Sequence, residues 1–394
     1  MKRSCYFISA LSPAADQLAA SLVLELRIFH PLVEALGVCG VAMEKAGTKS
    51  LCSMHHPGIS GRAWRGPRAR MLEKSLVDNI SRMAPRVVIL VGYHPFHNRL
   101  AAAFRVQGLK VVLFHPPVIS GWHEKKVREL SKNFISLLGI NPGLADEYRE
   151  KGLDYTLVHP ERVDQVNSLI VDRKTLGMEG NDALITFMPG SCRKVFRRNL
   201  PLFLKVAALL KKEESPARVL IPLSEYTGFD FVQSVLPSDH HLEEPAGLLG
   251  VRHCEAAGVF FVEGKSHEIM AVSRAALTCA GITTLESAVM GLPHVVIRPV
   301  GDKAWQGSLV NSLQEPDPRG QRNPAVPEFH TRSNPAEIAD ALVGLLRDGE
   351  ARDNMLQSFR LLVDHIEDAG YPDAAEVIAS HIGKRRRRSR SAAR

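Results

Sequence analysis

Ile185-Thr-Phe-Met-Pro-Gly-Ser-Cys-Arg193 and Cys279-Ala-Gly-Ile-Thr-Thr-Leu-Glu-Ser287 decide the fold. Each begins as a short apolar run with the composition of a buried strand, breaks at a glycine, and reopens as the start of a helix. A strand that turns into a helix at a glycine presents main-chain N–H groups at its carboxyl end. Open α/β sheets bind phosphorylated ligands at that edge. The two stretches therefore predict a parallel, doubly wound sheet with a phosphate site on one rim.

Working outward, the same alternation fills the chain. Cys5 to Ala10 reads as a strand, followed by a helix near Ala15 to Phe29 and a second strand at Gly37 to Ala42. Val87 to Val91 and Val111 to His115 are apolar strands with a helix, Leu100 to Gln107, between them. Asn141-Pro142 is a helix start, with Pro at the first helical position. Residues 44–70, rich in Gly, His and Arg, read as loop. After a polar break at 160–182 the pattern restarts, with strands at Ala183 to Met188, Val219 to Pro222, Val259 to Val262, Ala276 to Cys279 and Val295 to Ile297. Helices are expected at Leu200 to Lys212 and His267 to Ser273, a loop at 313–327, and terminal helices at Pro335 to Arg347, Ala351 to Ile366 and Pro372 to Ile382. The expected fold class is α/β: two Rossmann-like doubly wound domains facing a cleft, residues 1–165 and 166–383, the second carrying the terminal helices.

Composition narrows the function. Hydrophobic residues make up 45% of the 394 and charged residues 23%, which excludes a disordered chain. No apolar run reaches the ~18 residues of a membrane-spanning helix. Lys2 and Arg3 before an apolar run imitate a signal peptide, but Pro13 and Asp16 interrupt it, so a first buried strand is the better reading. The six cysteines are dispersed without a C-x-x-C pair, as in a cytosolic protein with reduced thiols. No metal and no cofactor is expected. The net charge of +8 belongs to the terminus: seven of the last eleven residues, 384–394, are basic, leaving +1 for the rest.

The chemistry of the two stretches is specific. Gly190 permits a tight turn and close approach by a ligand. Ser191 offers a hydroxyl and an N–H, and Arg193, Lys194, Arg197 and Arg198 add positive charge, a combination suited to a diphosphate. In the second stretch Gly281 ends the strand, Thr283 and Thr284 open the helix, and Glu286, placed in its first turn, could accept both ribose hydroxyls of a nucleotide. The plainer reading is two ordinary strand-to-helix turns, one on a solvated basic helix and one with a favourable acidic residue.

The pattern resembles the lipid-A-disaccharide synthase family, two-domain GT-B-type inverting glycosyltransferases. The resemblance rests on Phe187-Met-Pro-Gly-Ser191 with Leu200-Pro-Leu-Phe-Leu-Lys205, on Gly264 through Ser273, and on Ala276 to Pro293. Gln107-Gly108 leading to His115, Trp122 with Lys125-Lys126-Val127, His159-Pro160 and Leu309-Val-Asn311 extend it. It implies transfer of 2,3-diacylglucosamine from UDP to 2,3-diacylglucosamine 1-phosphate, in lipid A biosynthesis. It also implies a UDP-sugar site built from Gly190, Ser191, Arg193, Gly264, Gly281, Thr283, Thr284, Glu286 and Asn311.

Departures fall in the first half. Where the family has a Gly-Glu-x-Ser-Gly-Asp loop this chain has Leu11-Ser-Pro-Ala-Ala-Asp16. Where it has an acidic motif supplying the proposed base, this chain has Tyr93-His-Pro-Phe-His-Asn98. Cys192 replaces the arginine after Pro-Gly-Ser, with Arg193 one place late, and Val195 and Ile282 replace further motif residues. Inverting transfer needs a base for the acceptor hydroxyl, and His94 or His97 is the expected substitute because imidazole titrates near neutral pH. Asp16 is expected to orient the acceptor amide or a histidine.

The remaining expectations concern partners. The basic tail is expected to be disordered and to draw the protein to an anionic membrane surface. That implies a cytoplasmic protein peripheral to the inner membrane. Few aromatic residues accompany the tail, so no nucleic acid is expected. A homodimer is left open. Two alternatives stand beside the family reaction: a UDP-sugar transferase with a different acceptor, and an inactive member that only binds.

Overall fold

The computed structural model describes residues 4–57, 59, 63–117, 124–159, 171, 173–176, 178, 182–212, 217–245, 248–300, 310–311, 324–368 and 370–383. The basic tail, the expected boundary at 165/166, Trp122, Pro160 and Leu309 lie outside them. The chain divides into two compact units, residues 1–161 with 371–394, and residues 162–370.

The first unit is built on seven strands: β1 (Cys5–Ala10), β2 (Glu34–Cys39), β3 (Lys49–Ser53), β4 (Val88–Val91), β5 (Val111–Phe114), β6 (Ser136–Gly139) and β7 (Tyr155–Leu157). They are ordered β3-β2-β1-β4-β5-β6-β7 and all pair in parallel. Every residue of β1, β4 and β5 is buried, which explains why these strands read as unbroken apolar runs. Between them run α1 (Pro13–Phe29), α2 (Val41–Lys45), α3 (Pro67–Met83), α4 (Pro95–Val106), α5 (Glu124–Asn133) and α6 (Pro142–Glu150). The turn from β1 into α1 follows local rules, with Ser12 Oγ accepting from Ala15 N and Pro13 opening the helix. Phe7 of β1 meets Phe104 of α4 edge to face at 5.8 Å, joining sheet and helix layer.

The second unit repeats the plan with β8 (Leu184–Met188), β9 (Arg218–Leu223), β10 (Val251–Cys254), β11 (Val259–Glu263), β12 (Ala275–Cys279), β13 (His294–Arg298) and β14 (Glu328–His330). The order is β10-β11-β9-β8-β12-β13-β14, parallel except for the β10–β11 pair. Its helices are α7 (Arg193–Leu210), α8 (Phe229–Val235), α9 (Ser266–Val272), α10 (Ile282–Val289), α11 (Pro335–Leu346) and α12 (Glu350–Asp368).

Three expectations are corrected. The 44–70 segment holds β3 and the start of α3 rather than a plain loop, because β3 is a short edge strand with no apolar run to announce it. Helix α7 starts at Arg193, seven residues earlier than expected, and keeps Pro201 inside it. An internal proline costs about 3 kcal/mol; burial of Phe196, Leu200, Phe203 and Val206 along the same helix offsets it. The last helix, α13 (Ala374–Ile382), belongs to the first unit and not to the second. It packs on α1; Arg86, just before β4, donates Nη1 to Ile382 O at 2.9 Å, and His159, just after β7, bridges to Asp373.

Candidate functional site

In both sheets the strand order reverses beside the first strand. In the second unit β8 connects to β9 on one side, and β12 lies on the other, hydrogen-bonded to β8 with Thr278 opposite Met188. That reversal opens a crevice at the carboxyl edge, where doubly wound sheets take ligands. The two decisive stretches end on those two neighbouring strands.

The turn after β8 is held from two sides. Asn199, buried in α7, donates Nδ2 to Pro189 O at 2.7 Å, and Ser224 Oγ beyond β9 donates to Ser191 O at 2.7 Å. Gly190 takes φ +132°, and a Cβ there would stand 2.6 Å from Val195 Cγ1. No other residue type fits without displacing the turn. The first amides of α7 have no intrahelical acceptor. Arg193, Lys194, Arg197 and Arg198 crowd its first two turns, with no acidic residue in the first. Cations at a helix N-terminus oppose the macrodipole. The arrangement becomes favourable when an anion sits between amides and side chains. Arg193 Nε donates to Tyr226 O at 2.9 Å, and its guanidinium shares the Phe231 ring with that of Arg197, at 5.0 and 5.6 Å.

The turn after β12 is the second wall. Gly281 adopts φ 156° and ψ −168°, a region almost confined to glycine, and begins α10. Glu286 lies one residue beyond the first turn, 6% exposed. A buried carboxylate is costly without a partner. His267 of α9 supplies one, with Nε2 3.4 Å from Glu286 Oε1.

Other expected ligands are occupied otherwise. Thr284 is fully buried and its hydroxyl donates to Gly281 O at 2.8 Å, so it shapes the helix start. Thr283, half-buried, accepts Ser287 Oγ on its carbonyl at 2.8 Å. Gly264 donates its N–H to Leu223 O at 2.9 Å. Asn311 spends its amide on Val326 and Glu328: Nδ2 donates to Val326 O and Glu328 Oε1 at 3.0 and 2.8 Å, and Oδ1 accepts from Val326 N at 3.0 Å. These bonds brace the approach to β14.

The first unit corrects all three expected catalytic residues. His97 is fully buried. Its Nδ1 lies 2.9 Å from Gly92 O, an acceptor only, so Nδ1 carries the proton and Nε2 accepts from Ser9 Oγ at 2.9 Å. Burial holds its pKa down at about 3. A neutral imidazole with both nitrogens bonded inside the fold is a strut between β1 and α4, not a base. His94 caps α4: its Nδ1 accepts from Phe96 N at 3.1 Å, so the lone pair a base would need is taken, and burial lowers its pKa. Asp16, fully buried, accepts from Gly40 N, Ala42 N and Met43 N at 2.7, 2.9 and 3.4 Å, securing the start of α2.

Sequence reasoning missed Asn199, Ser224 and His267. Ser224 and His267 act through partners on other strand–helix units, which become neighbours through the β11-β9-β8-β12 order, and Asn199 bonds back to the turn that opens its own helix. The polar run Ser266-His-Glu268 after a glycine was the only visible signal, and it reads as an ordinary helix start.

Comparison with known proteins bears on the family and the fold. A family profile described as lipid-A-disaccharide synthetase matches residues 6–300. A lipid-A-disaccharide synthase of Myxococcus xanthus (strain DK1622) is 27% identical over 376 residues, 91% of this chain and 92% of the relative. One from Syntrophus aciditrophicus (strain SB) is 24% identical over 392 residues, 96% of this chain and 97% of the relative. Among solved structures, Staphylococcus aureus MnaA with UDP superposes with a TM-score of 0.61 at 13% identity, covering 93% of this chain and 96% of that one. Acinetobacter baumannii MurG gives 0.53 at 12% identity, covering 96% and 99%. These structures show a shared GT-B-type fold.

Proposed function

The chain belongs to the lipid-A-disaccharide synthetase family, and on that premise we propose that its second unit binds a UDP-linked acylated glucosamine at the β8/β12 crevice for transfer to an acylated glucosamine phosphate. The diphosphate would lie against the amides of Ser191, Cys192 and Arg193, with the cations of early α7 neutralising it. Those contacts strengthen as UDP departs with its full charge, which is where transfer needs stabilisation. Glu286 would accept from the ribose hydroxyls, its carboxylate kept oriented by His267. The observation that carries the reading is the cation-crowded start of α7 beside a buried carboxylate, on two hydrogen-bonded strands of one sheet.

Calorimetric titration with UDP tests it. Wild-type protein is expected to bind, and Glu286→Ala to weaken binding about tenfold or more, as loss of a charged hydrogen-bond acceptor requires. Unchanged affinity in Glu286→Ala would remove the ribose assignment.

A second reading is favoured by a specific observation. Asp16, His94 and His97 are all engaged in holding the fold. A UDP-sugar transferase with a changed acceptor fits the altered first unit. Transfer of radiolabelled acylated glucosamine to its 1-phosphate acceptor separates the two: product supports the family reaction, and donor binding without product supports a changed acceptor or a protein that only binds. Action at the inner membrane surface forms part of the proposal. No described helix is long and apolar enough to cross a bilayer, and the seven cations of 384–394 supply attraction to anionic lipid. Co-sedimentation with anionic vesicles, with and without those residues, tests that attachment.

A further inference from the structure

The first unit carries a groove that no assignment above uses. It lies between α3 and α4 and encloses about 660 Å³. Arg65, Arg70, Lys74 and Arg99 line it against Glu73 and Asp78, a surplus of two positive charges. Val77 and Ala103 make the surface between them apolar, and the Trp64 indole stands at one end.

The cations are not equivalent. Arg99 is committed to the fold: it pairs with Glu73 and donates Nη1 to Trp64 O at 2.7 Å, which fixes the tryptophan. Arg65 lies over the Trp64 ring at 5.0 Å. Arg70 and Lys74 sit one turn apart on α3, exposed, with no ion pair among the described residues. Like charges at that spacing repel, and an arriving anion removes the repulsion. The Trp64 ring meets the His94 ring edge-on at 6.3 Å. His94 opens α4 directly after β4, so the tryptophan end of the groove reaches the carboxyl edge where β4 lies beside β1. That is the reversal point of the first sheet.

We propose that this groove binds the phosphate monoester of an acylated sugar acceptor, with Arg70 and Lys74 on the phosphate and Trp64, Val77 and Ala103 against its apolar part. The inference rests on the glycosyltransferase reading above. A phosphate monoester carries close to two charges near neutral pH, which matches the surplus in the groove. A carboxylate would leave half of it unbalanced. The apolar strip beside the cations selects an amphiphile over inorganic phosphate.

Equilibrium binding to the full chain, measured by calorimetry without turnover, is the test. The probes are short-chain diacylglucosamine 1-phosphate and the same sugar without its phosphate. Arg70→Ala/Lys74→Ala is expected to weaken the phosphorylated probe about tenfold or more and to leave the other unchanged; Arg70→Lys/Lys74→Arg should restore most of the loss. Equal affinity of the Ala variant and wild type for the phosphorylated probe overturns the proposal, as does equal loss with both probes. Phosphatidylcholine vesicles containing phosphatidylglycerol form a second arm. Vesicle binding that falls in the Ala variant, with no binding of the sugar phosphate, assigns the groove to a bilayer headgroup and overturns the acceptor assignment. A UDP titration alongside keeps the two readings apart: the sugar phosphate bound without UDP leaves the groove a sugar-phosphate site and removes its acceptor role together with the glycosyltransferase reading, and UDP bound without the sugar phosphate sinks the groove alone. Both substituted side chains are exposed, so an unchanged melting temperature checks the fold.

Discussion

A residue type is a weak guide to its role until its bonds are known. Gly190 and Glu286 stay in the proposed site, because each has a conformation or a burial that ordinary packing does not require. Gly190→Ala forces a Cβ into Val195 and an L-residue into a backbone region that favours glycine. We expect UDP affinity to fall at least about tenfold while the melting temperature moves by only a few degrees, roughly the cost of local strain. Calorimetry and thermal melting check the two halves. Thr284, Asn311, His97 and Asp16 show the opposite outcome. Each carries the polar atoms of a ligand contact, yet each finds a backbone partner inside the protein. Sequence cannot separate these cases, because a hydroxyl or amide aimed at a ligand and one aimed at a carbonyl are the same group.

Elements were easier to read than the roles of their side chains. Central parallel strands such as β1, β4 and β8 are buried on both faces and stand out as apolar runs. Short edge strands such as β3, β10 and β14 have no such run and went unseen. A proline alone did not make a helix start legible: α3 opens at Pro67 inside a stretch read as loop, and α4 opens at Pro95 behind a histidine cap, which sequence rules do not rank among caps. This gives a prediction for α4. His94→Asn supplies a good cap and should hold stability within a few tenths of a kcal/mol, whereas His94→Ala should cost about 1 kcal/mol. If transfer activity is detectable, His94→Asn should keep it; a loss of several orders of magnitude in kcat would restore the histidine as base. Urea denaturation and the radiolabel assay give the two readouts.

For the molecule as a whole, buried histidines contribute to the response to acid. His97 and His294 are fully buried, and burial holds their pKa values down at about 3 and about 4, against an ordinary 6.5. Between those values the unfolded chain binds protons that the folded one refuses. The stability these groups contribute is therefore complete above about pH 6.5 and declines as pH falls. Each histidine contributes a slope of about 1.4 kcal/mol per pH unit, until its folded pKa is reached. His97→Gln can donate to Gly92 O and accept from Ser9 without titrating. We expect it to flatten the decline between pH 6.5 and 4.5 by about one such slope, measured by urea denaturation at each pH. The passage of α13 into the first unit has a consequence of its own. The polypeptide crosses between the units twice, near 161 and near 370. A protease that nicks one crossing should leave both pieces associated, since the carboxyl-terminal segment remains clasped to α1. The same clasp makes a fragment ending near 161 incomplete, and a synthetic peptide of 371–383 added in trans should rescue its solubility.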